Sequence, residues 1–248
     1  MTVEYVLEAG SRHLQVVAEI DWKEEHRLLK YHVRTGHLGR WARFGTPFGS
    51  IQRPQLPGVQ SDEAMWEVPG SRWAAVTDED GTGVAMLTEA KYGFSCREGD
   101  LGLSLLRSPR NPDPKADIGS HRMRFAIGEH RAVSEPYAPS TAVAADALYT
   151  PTLVVAGGAL NRPPFHLEDL GTLAPSWVLP SATGEGYVIR LHETNGSAGA
   201  AVLHLAERRS VTRVDFLERK FPAAVEKTGT HTVRVPYKPY EIVSLLVR

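Results

Sequence analysis

Only one cysteine, Cys96, occurs in the sequence, which excludes an internal disulfide. A lone thiol fits a reducing compartment, and the cytoplasm is the expected location. No apolar run approaches the roughly 20 residues that a membrane-spanning helix needs. The first eight residues lack the basic and apolar regions of a signal peptide. An excess of charge of one sign is missing too: 28 Lys and Arg face 29 Asp and Glu, a net charge of −1. No field of that size steers the chain to a polyanion or an anionic surface, so neither nucleic acid nor membrane is an expected partner. No segment of about a dozen residues keeps a helical period, and no helix is expected. The 10 histidines are scattered, without His-Glu-x-x-His spacing or cysteine ligands beside them. A hydrolytic zinc site needs three ligands and an open position, and a serine hydrolase of the common type needs a Gly-x-Ser-x-Gly elbow. Neither pattern is found, so no catalytic residue, metal ligand or cofactor of the chain's own is expected.

What is present is strand-like alternation. Val16, Ala18 and Ile20 fall on one face of Leu14 to Asp21, and Leu29, Tyr31 and Val33 on one face of Leu29 to Arg34. Successive side chains of a strand point to opposite faces, so such a segment offers one face to a core and the other to water. The same reading covers 84–87, 101–106, 123–127, 187–192, 200–205, 211–217, 232–235 and 242–247. Gly-rich turns separate several of these, including Asp80 to Gly83, Arg97 to Asp100 and Asn195 to Gly199. Asn195-Gly196-Ser197, a formal glycosylation sequon, is read as one such turn. Many short strands, 22 Gly and 17 Pro predict an all-β protein built as an antiparallel β-sandwich. A softer stretch from about Glu129 to Asn161, with Glu135-Pro136-Tyr137 and Tyr149-Thr150-Pro151, is expected to divide a large sandwich over 1–150 from a smaller one over 151–248. Strand character already at Val3 suggests a chain that starts partway through a larger protein, with the first sandwich truncated at its N-terminus.

Two segments read as loops longer than a sandwich needs. The first, Gly36 to Arg72, has Trp41, Arg43, Phe44, Phe48, Gln52, Arg53, Trp66 and Trp73 in or beside it. Aromatic faces next to Arg and Gln suit a sugar surface, but the same residues plug the ends of a sandwich equally well. The second, Arg107 to His121, is stiffened by Pro109, Pro112 and Pro114 and carries Asp113, Asp117 and His121. Prolines forbid the helix that would place those three on one face, yet a loop of this length is usually functional.

At this second loop the sequence resembles a known family. Gly83 to Phe94, with Lys91-Tyr92-Gly93-Phe94 at its end, then Leu103 to Pro109, then Pro112-Asp113-Pro114, Ala116-Asp117, Gly119 and His121 resemble the C-terminal region of family-38 glycoside hydrolases, the α-mannosidases, most of all their bacterial and cytosolic branch. Collinear matches run through Glu19 to Lys30, Phe48 to Pro54, Trp66 to Trp73, Val188 to Glu193 and Lys238 to Ile242, so the resemblance spans nearly the whole chain. Departures occur at Thr88-Glu89, at Met123 and at Leu56 to Val59. The resemblance implies a retaining hydrolase of terminal α-linked mannose with a catalytic zinc and an Asp nucleophile. In the family the nucleophile and zinc ligands lie upstream, in an α/β domain and the helical segment after it, and neither is present here. The implied partners are that catalytic α/β domain and α-mannoside glycans, with self-association of the chain as a further expectation. Arg107 is the implied substrate-binding residue, and Tyr92, Asp117 and His121 accompany it. A purely structural role for Arg107, pairing with Asp113 or Asp117, is the alternative for that residue. For the whole chain the alternative is a stand-alone carbohydrate-binding or oligomerisation module.

Overall fold

The computed structural model describes residues 1–64, 67–135, 138–150, 153–154, 156–157, 162–223 and 225–248. Trp66, Pro136, Tyr137 and Pro151, all singled out from the sequence, lie outside the described residues. The chain divides into two compact units, Met1–Arg131 with Ala144–Pro151, and Ala132–Val143 with Thr152–Arg248.

The first unit contains β1 (Thr2–Val6), β2 (His13–Trp22), β3 (Leu29–Arg34), β4 (Trp41–Thr46), β5 (Gly49–Pro54), a single helical turn α1 (Gln60–Glu63), β6 (Glu67–Pro69), β7 (Trp73–Thr77), β8 (Gly83–Thr88), β9 (Gly93–Arg97), β10 (Asp100–Leu106) and β11 (Gly119–Glu129). They form a seven-stranded sheet, β1-β2-β11-β8-β7-β4-β5, and a four-stranded sheet, β3-β10-β9-β6. Every pairing is antiparallel. Alternation in β2 does what its sequence implies: Val16, Ala18 and Ile20 are buried while Glu19 and Asp21 face water. These residues join Phe44, Met86 and Phe125 of the large sheet to Phe94, Leu101 and Leu103 of the small one in a single core. Aromatic pairs cross between the sheets edge-on, Tyr31 against Phe125 at 4.8 Å and Phe44 against Phe94 at 6.4 Å between ring centroids. Each buried aromatic or aliphatic side chain of this kind contributes about 1.5–3 kcal/mol.

The second unit contains β12 (Phe165–Glu168), β13 (Leu173–Pro180), β14 (Tyr187–Glu193), β15 (Gly199–Leu205), β16 (Val211–Val214), β17 (Glu226–Lys227), β18 (Thr232–Tyr237) and β19 (Ile242–Val247). Two four-stranded sheets, β12-β15-β18-β17 and β13-β14-β19-β16, close on Leu173, Ile189, Leu191, Leu203, Val233, Val235, Val243 and Leu245. Asn195 and Gly196 form the turn after β14, as read from the sequence, and donate their amides to the buried Glu193 carboxylate at 2.8 and 2.7 Å.

Two expectations are corrected. Residues 36–72 are not one long loop: β4 and β5 make a hairpin at the edge of the large sheet, and β6 adds an edge to the small one. Arg43, Gln52 and Arg53 in these short strands hid the alternation. Of their aromatics Phe44 and Trp73 are core, whereas Trp41 and Phe48 are exposed. A helix, α2 (Thr141–Tyr149), also stands where none was expected. Its nine residues are too short for a periodic signal, and four alanines supply the propensity instead.

Gln55, just past β5, is buried and bonds on both sides of its amide. Its Nε2 donates to the Gly39 carbonyl at 2.6 Å, and its Oε1 accepts from the Gly99 amide at 2.9 Å and the Cys96 thiol at 3.3 Å. Burial pushes the Cys96 thiol up to about 12, so it stays a neutral donor there. Gln55→Leu strands the Gly39 carbonyl and the Gly99 amide without partners and should cost about 2–4 kcal/mol. Urea unfolding checks this, and an unchanged midpoint would show the side chain to be dispensable.

Candidate functional site

One end of the first unit gathers the segments marked by the sequence. Register places the exit of β2 beside the entry of β11 (Trp22 opposite Gly119), and the exit of β8 beside the entry of β7 (Leu87 opposite Trp73). In the small sheet the exit of β10 meets the entries of β3 and β9, with Leu106 opposite Leu29 and Ser104 opposite Gly93. The connections 23–28, 89–92 and 107–118 therefore emerge together, as does the β4–β5 turn that carries Phe48.

Ser108 ties two of these segments, 107–118 and 23–28, to the end of β2. Its backbone sits in the left-handed region, φ 47°, at a cost of about 1–2 kcal/mol for a residue with a side chain. Three contacts offset that strain. The Trp22 indole donates to the Ser108 hydroxyl at 2.5 Å, the His26 amide donates to its carbonyl at 3.2 Å, and its own amide donates to Asp117 Oδ2 at 2.7 Å. The Arg107 amide donates to the same Oδ2, also at 2.7 Å. His121, on β11, donates Nε2 to the Asp117 carbonyl at 2.9 Å. These amide bonds, Arg107 first and Ser108 second, hold the Asp117 carboxyl below its ordinary value. Lys91 lies near enough to add to this, while burial pushes its own ammonium below the usual lysine value.

Of the four residues picked from the sequence, Asp117 and His121 thus act on the loop's own backbone. Arg107 is held by its main chain while its exposed guanidinium makes no ion pair with any described residue; the anticipated pairing with Asp113 or Asp117 involves its amide instead. β10 carries a bulge between Ser104 and Leu106, which the simple alternation of 101–106 did not reveal. Tyr92 is 54% exposed, and the segments emerging at this end also expose Leu28 at 51%, Phe48 at 50% and Ile118 at 40%.

The sequence profile of the glycosyl hydrolases family 38 C-terminal domain matches residues 1–115, and that of the glycosyl hydrolases family 38 C-terminal beta sandwich domain matches residues 172–245. The chain belongs to the C-terminal region of glycosyl hydrolase family 38. Human alpha-mannosidase 2C1 is 30% identical over 255 residues, covering 100% of this chain and 24% of the relative. Alpha-mannosidase G of Dictyostelium discoideum is 36% identical over 254 residues, covering 95% of this chain and 21% of the relative. The chain therefore spans about a quarter of the length of these curated relatives. Among solved structures, an alpha-mannosidase from Enterococcus faecalis superposes with a TM-score of 0.74 at 16% identity, over 95% of this chain and 27% of that one, a likeness of fold.

The zinc implied for family 38 does not fit this loop end. Asp117 commits one oxygen to two amides and His121 commits Nε2 to a carbonyl, so the described residues converge on no ligand set there. The arrangement instead makes a hydrogen-bonded frame that leaves the Arg107 side chain and Tyr92 exposed. Sequence reasoning missed Ser108 and Trp22, whose roles come from contacts 86 residues apart.

Asp117→Ala removes two charge-assisted hydrogen bonds and should cost about 1–2 kcal/mol, with Asp117→Asn costing less because an amide oxygen still accepts. A carboxyl held below its unfolded value stabilises the fold above that value, about pH 4, and loses the effect as pH falls through the lowered one. The gap between wild type and Asp117→Asn should therefore be full at neutral pH and close in acid. Tryptophan fluorescence during urea unfolding reports both, and a pH-independent gap would contradict the charge argument.

Proposed function

We propose that this chain is the non-catalytic C-terminal part of an α-mannosidase, packed on a catalytic domain that precedes it in a longer polypeptide. Its loop end closes one side of the pocket for terminal α-linked mannose. In that enzyme the zinc and the nucleophile for retaining cleavage belong to the upstream domain, and no bond-breaking step falls to this chain. The observation that carries the reading is that the segments emerging at this end expose Leu28, Phe48, Tyr92 and Ile118 as well as Arg107. Exposed apolar side chains gathered on segments of one end are what a partner domain covers. A fixed fork of donors binds two sugar hydroxyls, or steadies a carboxylate of the neighbouring domain. Tyr92 offers a ring face to the C–H face of a sugar, while Asp117 and His121 position Arg107 from behind.

Arg107→Lys in the full polypeptide keeps the charge and loses the fork. We expect kcat/KM on a chromogenic α-mannoside to fall by about tenfold or more. The melting temperature should hold, since the bonds at this position run through the main chain. The chain by itself should show no turnover, with or without zinc. Equal loss of stability and activity in Arg107→Lys would reduce Arg107 to a structural residue, and metal-dependent turnover by the purified chain would overturn the non-catalytic reading.

A second reading, a carbohydrate-binding or oligomerisation module, is favoured by a separate surface on the second unit. There Arg190 lies over the Trp177 ring at 4.2 Å and the Phe216 ring at 4.6 Å, with Phe216, Leu217 and Leu179 exposed. Mannoside binding by the isolated chain that disappears in Trp177→Ala and survives Arg107→Lys would select this reading.

A further inference from the structure

We infer that His166, Glu168 and His204 form a binding site for a divalent transition-metal ion on the outer face of the second unit. Strand β12 pairs antiparallel with β15 so that His166 stands directly opposite His204 and Phe165 opposite Leu205. Leu203 and Leu205 are buried, and Phe165 and Leu167 pack on the same core. Period-two alternation therefore turns His166, Glu168 and His204 together toward solvent.

The three side chains converge. The two imidazole rings stack nearly parallel, 4.4 Å apart and inclined by 4°. His166 Nε2 lies 3.1 Å from one carboxylate oxygen of Glu168, and His204 Nε2 lies 2.9 Å from the other. One ligand atom from each residue falls within 4.8 Å of the rest. A tetrahedral zinc ion with bonds of about 2.0–2.1 Å needs its ligand atoms about 3.3 Å apart. Parallel ring planes cannot both contain one ion, so binding requires rotation of at least one imidazole about its Cβ–Cγ bond together with a torsion of Glu168, movements of surface side chains that leave the backbone in place. Two imidazoles and a carboxylate favour zinc, nickel, cobalt or copper over magnesium or calcium, which prefer all-oxygen sets.

The surroundings leave room for the remaining coordination positions. His166 and His204 line a concavity of about 460 Å³ together with His231 and Arg162. His231 is fixed there by its carbonyl, which accepts from the Leu205 amide at 2.8 Å, so a further nitrogen donor stands in the same hollow. Arg162 adds a positive charge at this hollow, so Glu168 is needed to keep the site attractive to a cation. β12 is the edge strand of its sheet, and a bound ion joins it to β15.

The test is titration of the chelator-treated 248-residue chain with Zn²⁺ by calorimetry, repeated with Co²⁺ followed by its visible absorption. One equivalent should bind with micromolar affinity, Co²⁺ should give the intense bands of a four-coordinate ion, and millimolar Mg²⁺ should not compete. His166→Gln and His204→Gln should each weaken Zn²⁺ binding at least about tenfold, Glu168→Gln should also weaken it, and the double histidine variant should abolish it. These side chains are on the surface, so the variants should keep the wild-type circular dichroism. Saturating Zn²⁺ should raise the melting temperature of the wild type and not of the double variant, as mass action requires for an ion that binds only the folded state. His32→Gln, a control at a surface histidine hydrogen-bonded to Asp100, should bind Zn²⁺ like the wild type. Absence of binding at millimolar Zn²⁺, or binding undiminished in the double variant, overturns the assignment.

Discussion

Contact between the two sheets of the first unit, through Tyr31 on Phe125 and Phe44 on Phe94, sets where everything else at its loop end can be. Each sheet has one apolar face that must leave water, and the aromatic pairs hold the two at the spacing their rings allow. With that spacing set, β2 of one sheet and β10 of the other release their chains close enough for the Trp22 indole to reach the Ser108 hydroxyl. The knot at Ser108 is thus a consequence of core packing, and Arg107 inherits its position from the knot.

That division of labour suits a surface that meets a ligand or a partner domain. Asp117 and His121 satisfy backbone groups and hold the loop's base, while the side chains of Arg107 and Tyr92 stay exposed. Ordering costs of the loop's base are met when the chain folds. In the second unit, strand pairing places His166 directly opposite His204.

The all-β character and the strands with clean alternation were legible from residue order alone. β2 and β18 are examples, because burial of every second side chain is a local property that a short window records. β4 and β5 were not, since edge strands carry Arg and Gln outward and interrupt the pattern. Helix α2 was missed because nine residues are too few for a period to emerge. There Arg124 donates to the Leu148 carbonyl at 2.6 Å and Arg72 pairs with Asp146. Tertiary contacts hold that segment helical as much as its alanines do.

Residue order by itself determined the sandwich class, the membership in family 38 and the 107–121 segment as the place to look, because these rest on local periodicity and on motifs that keep their spacing. Only the tertiary structure decided that Asp117 grips the Arg107 amide and leaves the guanidinium free, and that His204 meets His166 and Glu168. Those outcomes depend on register between strands distant in sequence, and register is set by the turns, bulges and core contacts of the whole sheet.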